Sequence, residues 1–233
     1  MPRRVLATIV LVASALATSA LCAGAARAAT PGCEPLYLAG RAVSERARAW
    51  ICADPLMLAR ARAVAQLQAD QRRSDEGAAL GAEDDLRLRL EGCGDARCVR
   101  TAYEDRLQAL AEGAPFPLRG GTGVHAADGA RRVDLWSRDL ADGWRLYRFQ
   151  IAWTRPGRSK ADIETGQGVF QGAEMFVAPI QGGWTRYRRP DGGGYDIDIL
   201  PDGRWKVTQV GDCVCGPHLN YDGVYGRRGG KAR

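Results

Sequence analysis

The first half of the chain has hydrophobic positions spaced as in amphipathic helices. The pattern predicts one helix over residues 43–52 and a second that begins at Asp54-Pro55. Asp is a good N-cap, and Pro is tolerated at the first helical position, where its missing N–H is not needed. The stripe of the second helix recurs at intervals of four, three and four residues: Met57, Ala61, Val64 and Gln68.

Two further helices are predicted before residue 112. The polar, glycine-containing run 74–85 indicates a break, and a third helix is expected over 83–91, closed by Gly92. Leu86, Leu88 and Leu90 alternate as in a strand, but the acidic residues before them favour a helix. Asp95 can cap the fourth helix. Its predicted apolar face carries Val99, Tyr103, Arg106, Leu107 and Leu110.

The second half of the chain has the alternation of β-strands. Residues 113–132 are rich in Ala, Gly and Pro and are interpreted as a linker. Beyond them Tyr147, Phe149, Ile151 and Trp153 occupy alternate positions, and later short runs are separated by turn signals such as PDGGG and PDG. Six or seven short strands over 133–228 predict an antiparallel sandwich or small barrel. The expected fold class is therefore α+β, with a helical domain at 33–112.

Residues 1–28 have the layout of a secretory signal peptide. Two arginines precede an uncharged run, and Ala26-Arg27-Ala28 is a small-x-small cleavage site. The run is long enough to be an uncleaved anchor, but its second half is Ala, Ser and Thr, which favours cleavage. The mature protein is expected to be periplasmic or secreted, without stable membrane insertion.

Six cysteines remain after such cleavage, and disulfides are the expected state in an exported chain. They are Cys33, Cys52, Cys93, Cys98, Cys213 and Cys215. A bridge between Cys93 and Cys98 would clamp the corner between the third and fourth helices. A ring between Cys213 and Cys215 would be strained, so one of them is a candidate partner for Cys33.

The charge is modest and unevenly distributed. The full chain has a net charge of +6, and removal of three signal-peptide arginines leaves 30 basic and 27 acidic residues, a net of +3. This value gives no nucleic-acid signature. Residues 33–112 carry 12 basic and 14 acidic side chains, whereas 113–233 carry 18 and 13. The opposite signs favour two separate domains.

The helical half resembles the N-terminal domain of the LprI family, named for a lysozyme-inhibiting lipoprotein. The resemblance is carried by SERARAWICADPLMLARARA and CGDARCVRTAYEDRLQAL. It implies a small disulfide-linked helical unit and lysozyme inhibition as a candidate activity. The matching positions are Glu45, Ile51, Cys52, Asp54, Pro55, Cys93, Cys98, Tyr103, Arg106 and Leu107.

Two groups of residues could carry chemistry. Cys213, Cys215 and His218 could bind a metal or, with Asp222, form a nucleophilic site, but a disulfide cysteine pair beside a surface histidine is favoured. Asp196, Asp198 and Asp202 are reminiscent of a calcium loop, yet the glycine spacing fits poorly and a strand followed by a turn is favoured. No catalytic residue, metal or cofactor is therefore predicted.

Binding is the function class that the sequence favours. The candidate partners are a lysozyme, another envelope protein or a glycan, and any inhibition is expected to reside in residues 33–112. Core packing explains most of the tryptophans, but some could form an aromatic and cationic binding surface. Its candidate members are Trp144, Trp153, Trp184, Trp205, Arg145, Arg186, Arg188 and Arg189.

Overall fold

The computed structural model describes residues 33, 36–113, 120–128, 131–157, 159, 161, 169–212 and 220–227. Within these ranges, four helices precede two four-stranded antiparallel sheets, which confirms the predicted α+β class. No helix of the described ranges is long and apolar enough to cross a bilayer.

The helices begin where side chains cap them. A short hairpin, β1 (Tyr37–Leu38) and β2 (Arg41–Ala42), comes first. The predicted start of the second helix is confirmed, because Asp54 Oδ1 accepts the Leu56 N–H at 2.9 Å. Asp95 likewise accepts the Cys98 N–H at 2.8 Å at the start of the fourth. The helices are α1 (Glu45–Ala53), α2 (Pro55–Arg72), α3 (Glu76–Gly92) and α4 (Ala96–Gly113).

Helix α3 is longer than predicted. It begins at Glu76 rather than at residue 83, because Asp75 accepts the Ala78 N–H at 3.0 Å and so provides an N-cap earlier in the chain. The predicted break over 74–85 is therefore wrong for most of its length. The preference for helix over strand is confirmed: Leu86 and Leu90 are buried, while Leu88 is 53% exposed.

The strands follow one another around the β unit in chain order. A middle sheet has the order β3-β4-β5-β6 and an outer sheet the order β7-β8-β9-β10, every pairing antiparallel. An isolated bridge between His125 and Gly226 joins β3 to β10. The strands are β3 (Thr122–Asp128), β4 (Arg131–Asp139), β5 (Trp144–Thr154), β6 (Val169–Pro179), β7 (Trp184–Arg188), β8 (Gly194–Ile199), β9 (Trp205–Val210) and β10 (Gly223–Tyr225).

The predicted linker over 113–132 is partly wrong, since β3 and the start of β4 lie inside it. Within β3, Val124 is only 2% exposed and its two neighbours are more exposed. One buried position in a glycine-rich run gives only a weak alternating pattern in the sequence. Gly121, just before β3, lies against the buried Trp136 indole, and a Cβ atom there would be 2.1 Å from Trp136 Cε2. The glycine at this position therefore permits close packing.

The middle sheet is buried on both faces. One face packs with the outer sheet around Phe149, Phe176 and Tyr195. The other joins the helices in a single hydrophobic cluster, to which the β unit contributes Trp136, Leu140, Leu146, Met175 and Val177. The expectation of separate domains is therefore corrected: the helices and the strands share a core.

Polar contacts reinforce this shared core. Arg138 Nη1 of β4 pairs with Asp70 Oδ2 of α2 at 2.7 Å, with both side chains less than a fifth exposed. Arg148 Nη2 of β5 donates to the Ala111 carbonyl oxygen of α4 at 2.7 Å. The opposite net charges of the two halves are consistent with such pairing across one interface, rather than with independent domains.

Candidate functional site

Three of the positions that carry the LprI resemblance lie in the helical core. Ile51, Tyr103 and Leu107 are 0%, 2% and 1% exposed and belong to the same hydrophobic cluster. Burial raises the pKa of the Tyr103 hydroxyl well above its ordinary value. These residues therefore pack the helices against one another.

Three further motif positions lie at the start of a helix. Asp54 caps α2, Pro55 occupies its first position, and Asp54 Oδ2 also pairs with Arg100 of α4 at 3.5 Å. Glu45 is exposed in the first turn of α1, where a negative charge interacts favourably with the helix dipole. The roles seen for these residues are capping and helix orientation.

Arg106 makes a polar contact inside the helical layer. Its Nη2 donates to Gln71 Oε1 at 3.3 Å, and burial lowers its pKa despite the nearby carboxylates of Glu83 and Asp85. Glu83 is itself buried, accepts the Ala39 N–H at 2.7 Å and pairs with Arg72 at 3.2 Å. This cluster fixes the β1–β2 hairpin on the helices.

Four of the six cysteines form two disulfides. The predicted Cys93–Cys98 bridge is confirmed, and it closes the corner between α3 and α4. Cys33 is joined to Cys52, which corrects its proposed pairing with Cys213 or Cys215. Cys213, Cys215 and His218 lie outside the described residues. Asp222, their proposed companion, accepts the Gln209 N–H at 2.6 Å.

Two of the three aspartates considered for calcium have other partners, in keeping with the strand-and-turn interpretation, and Asp198 is exposed on β8. Asp196 on β8 pairs with Arg188 of the neighbouring strand at 2.7 Å. Asp202 accepts the Arg204 N–H at 3.0 Å in the β8–β9 turn, and this backbone hydrogen bond lowers its pKa. Over the described part of the chain, no group of three or more His, Cys, Asp or Glu residues could hold a metal ion.

The aromatic residues do not form one surface. Trp205 is 3% exposed in the core, and Trp144 packs partly against the helical cluster. Trp153 packs against Phe170, with ring centroids 5.3 Å apart. Trp184 is the exposed member of the predicted set, and the Arg186 guanidinium lies 4.9 Å from its ring centroid on β7. Of the proposed members, this pair is the one that fits an aromatic and cationic surface.

A cleft lies where the edges of the two sheets meet the helices. The middle sheet ends at β6 and the outer sheet at β7, and helices α2 and α4 cover the space beside them. We call this space the edge cleft; its volume is about 350 Å³. Its lining residues come from four parts of the chain: Arg60, Glu104, Asp105, Leu107, Gln108, Glu174, Met175, Phe176, Tyr187, Arg189 and Pro190.

Glu174 provides the buried acid of the edge cleft. The Tyr195 hydroxyl donates to Glu174 Oε2, and Arg189 Nη1 lies 3.5 Å from Oε1. Burial raises the pKa of Glu174, although these two contacts act in the opposite direction. The residue ends a cross-strand row that is otherwise apolar, since its neighbours across the sheet are Phe149, Leu135 and Val124.

The helical wall of the edge cleft carries an ion pair and an amide. Arg60 Nη1 of α2 lies 2.8 Å from Glu104 Oε1 of α4, with the arginine side chain 5% exposed and the glutamate 31%. Gln108 Nε2 donates to the Ala173 carbonyl oxygen of β6 at 3.0 Å. Asp105 stands at the rim, 55% exposed, and pairs with Arg89 at 2.6 Å.

Tyr187 joins the two walls of the edge cleft. Its ring stacks on Phe176 with centroids 4.1 Å apart, and its side chain is partly buried. Burial first, and the nearby Glu174 carboxylate second, raise the pKa of its hydroxyl, so the group is protonated at neutral pH. No described residue hydrogen-bonds to this hydroxyl, and Tyr187 lines the cleft, so the group is available to a ligand there.

Sequence reasoning missed the edge cleft, although part of its signal was present. On β6 the positions that face the outer sheet include Glu174, Phe176 and Ala178, so an acid interrupts an inward-facing apolar set. Such a residue is costly to bury without partners and marks a position worth attention. The partners, Arg189 and Tyr195, follow it by 15 and 21 residues, and only the strand pairing brings them together.

Comparison with known proteins adds no relative to this picture: the chain matches no family model, no curated protein and no solved structure.

Proposed function

We propose that this chain is an exported bacterial envelope protein that binds a basic partner at the edge cleft, and that the first partner to test is a lysozyme. The observation that carries the proposal is the composition of the cleft. It combines an apolar floor, which includes Leu107 and Phe176, with three carboxyl side chains and two guanidinium groups. A concave apolar site with a few convergent polar groups is the usual form of a binding site.

The charge of the cleft favours a cationic group. Glu104, Asp105 and Glu174 outnumber Arg60 and Arg189 in its lining, and the ion pair of Asp105 with Arg89 is solvent-exposed and so can be exchanged for one with a ligand. The net charge of the mature chain, +3 after the predicted cleavage, gives no long-range attraction to a basic protein. The attraction to a basic partner must therefore come from local charge complementarity at the cleft. The partly buried ring of Tyr187, which stacks on Phe176, offers an additional aromatic surface for a lysine or arginine side chain.

Export and the family resemblance support the same proposal. The signal-peptide pattern at residues 1–28 agrees with the two disulfides, because disulfides persist in oxidising compartments such as the periplasm. The resemblance to the LprI domain suggests lysozyme as the partner. The motif residues Ile51, Tyr103 and Leu107 are buried, so the partner would contact α4 through its exposed face, where Glu104 and Asp105 lie.

The test uses the full mature chain and a basic lysozyme. Asp105→Lys reverses a charge at the rim of the cleft, and Asp198→Lys makes the same change on the exposed face of β8. We expect the wild type to bind the lysozyme and slow cell-wall clearing. We expect Asp105→Lys to weaken binding at least about fivefold, with a smaller salt dependence, and Asp198→Lys to leave it unchanged.

Two results would contradict the proposal. One is the absence of any binding to basic proteins by the wild type at low ionic strength, where surface charges are least screened. The other is an equal loss of affinity in Asp105→Lys and Asp198→Lys, since that would indicate a non-specific effect of net charge.

A second candidate is a glycan-binding module without inhibitory activity. The observation that favours it is the exposed Trp184, stacked with Arg186 on the outward face of β7. Binding of soluble cell-wall fragments that is lost in Trp184→Ala and retained in Asp105→Lys would support this alternative instead.

A further inference from the structure

A second cavity lies at one end of the β unit, away from the elements that form the edge cleft. We call it the end pocket; its volume is about 330 Å³. It is lined by the start of β3, the end of β4, the start of β5 and the β8–β9 hairpin, together with Arg227. Among the described residues of its lining, none comes from helices α2 and α4, in contrast to the edge cleft.

The end pocket has an excess of positive charge. Its charged side chains are Arg138, Arg145, Arg227 and Asp139. Asp139 is 68% exposed and accepts a hydrogen bond from Arg145 Nε at 2.5 Å, while Arg138 pairs with Asp70 of α2. With Asp70 counted beside its partner Arg138, three guanidinium groups face two carboxylates, which leaves a net charge of +1.

Two donors in the end pocket have no partner among the described residues. Arg227 is exposed and makes no ion pair within that part of the chain. Ser137 is only 4% exposed, and no described residue hydrogen-bonds to its hydroxyl. Because Ser137 lines the pocket, this hydroxyl can donate to a ligand oxygen there. Gly120 and Gly121, which come just before β3, also line the end pocket and bring their main chain close to it.

We infer that the end pocket binds a phosphate-type oxyanion. The Ser137 hydroxyl and the Arg227 guanidinium would donate to its oxygens, and Arg145 would contribute positive charge from the pocket wall. Trp205 and Ile199 complete the lining with apolar surface, which suits the organic part of a small phosphate ester. The inference does not depend on the proposed function, because it concerns different residues and a ligand of opposite charge.

The test is calorimetric titration of the mature chain in phosphate-free buffer with inorganic phosphate. We expect saturable binding at or below about 1 mM. Ser137→Ala removes only the hydroxyl and should weaken binding roughly 3- to 10-fold; Arg227→Gln should weaken it by roughly tenfold. Arg46→Gln makes the same charge change at an exposed position of α1 and should leave the affinity within about twofold of the wild type.

The source of the phosphate group is tested with two further probes. Glycerol phosphate represents a soluble ester, and vesicles of phosphatidylglycerol, compared with neutral phosphatidylcholine vesicles, represent a lipid headgroup. Binding to either that depends on Ser137 and Arg227 supports the inference and identifies the source. The inference is overturned if none of the phosphate probes binds, if Ser137→Ala titrates as the wild type does, or if Arg46→Gln is as damaging as Arg227→Gln.

Discussion

At the scale of single residues, Tyr103 shows how a position that carries a sequence resemblance can be structural. Its ring is 2% exposed in the helical core, and its hydroxyl has no hydrogen bond to a described residue. Tyr103→Ala should therefore lower the free energy of unfolding by about 3 to 5 kcal/mol, as for other buried aromatic side chains. Tyr103→Phe should change it by less than about 1 kcal/mol. Urea unfolding of both variants checks this, and equal losses would contradict the packing role.

Glu174 makes stability depend on pH. Burial raises its pKa above the ordinary 4.5, so the folded state binds its proton more tightly than the unfolded state does. The favourable contribution of the protonated group is fully present below about pH 4.5 and is lost as pH rises through the folded-state pKa. Glu174→Gln should remove this loss. The stability difference between Glu174→Gln and the wild type should then grow from about pH 4 to pH 7.

The measurement for Glu174 is urea unfolding of both proteins across that pH range. Asp198→Asn is a suitable control, since Asp198 is exposed on β8. Stability curves of Glu174→Gln and wild type that run parallel with pH would show that the carboxyl group is not the source of the dependence.

At the scale of elements, the disulfides differ in the length of the loop that they close. Cys33–Cys52 spans 19 residues and Cys93–Cys98 spans 5. Because a longer loop loses more entropy when it is closed in the unfolded chain, replacing the first pair by alanines should cost about 3 kcal/mol and replacing the second about 2 kcal/mol. Thermal unfolding of the two double variants tests the order, and a larger loss for Cys93–Cys98 would contradict it.

The elements that the sequence predicts well have local signals. The Asp54-Pro55 start of α2 depends on a cap whose residue type can be recognised, whereas α3 ends at Gly92 with Cys93, in an extended conformation, as its C-cap. Strand β3 was missed because its run of Gly, Ala and His has little β propensity. It is held in place by pairing with β4 and by the close approach of Gly121 to Trp136, neither of which is a local property.

The sites were harder to predict than the elements. Glu174, Arg189 and Tyr195 come together only through the pairing of β7 with β8 and the packing of the two sheets. The end pocket likewise depends on the ends of several strands and on Arg227. Periodicity identifies the inward face of a strand, but it does not identify which ends of non-adjacent strands meet.

At the scale of the whole molecule, the shared core changes the expectation that residues 33–112 act alone. Five residues of the β unit, including Trp136 and Met175, complete the helical cluster. A fragment that ends at residue 113 would expose this apolar face to water. We expect it to retain helical circular dichroism but to unfold in urea without a cooperative transition. Cooperative unfolding at the midpoint of the intact chain would restore the two-domain interpretation.

The central claim, that a basic partner binds at the edge cleft, is tested most directly by amide hydrogen exchange of the mature chain with and without a bound lysozyme. We predict that exchange slows at residues 104–108 of α4 and 186–190 at the end of β7, which line or border the cleft. Slowing confined to residues 45–55, or to strands β8, β9 and β10, would contradict the claim.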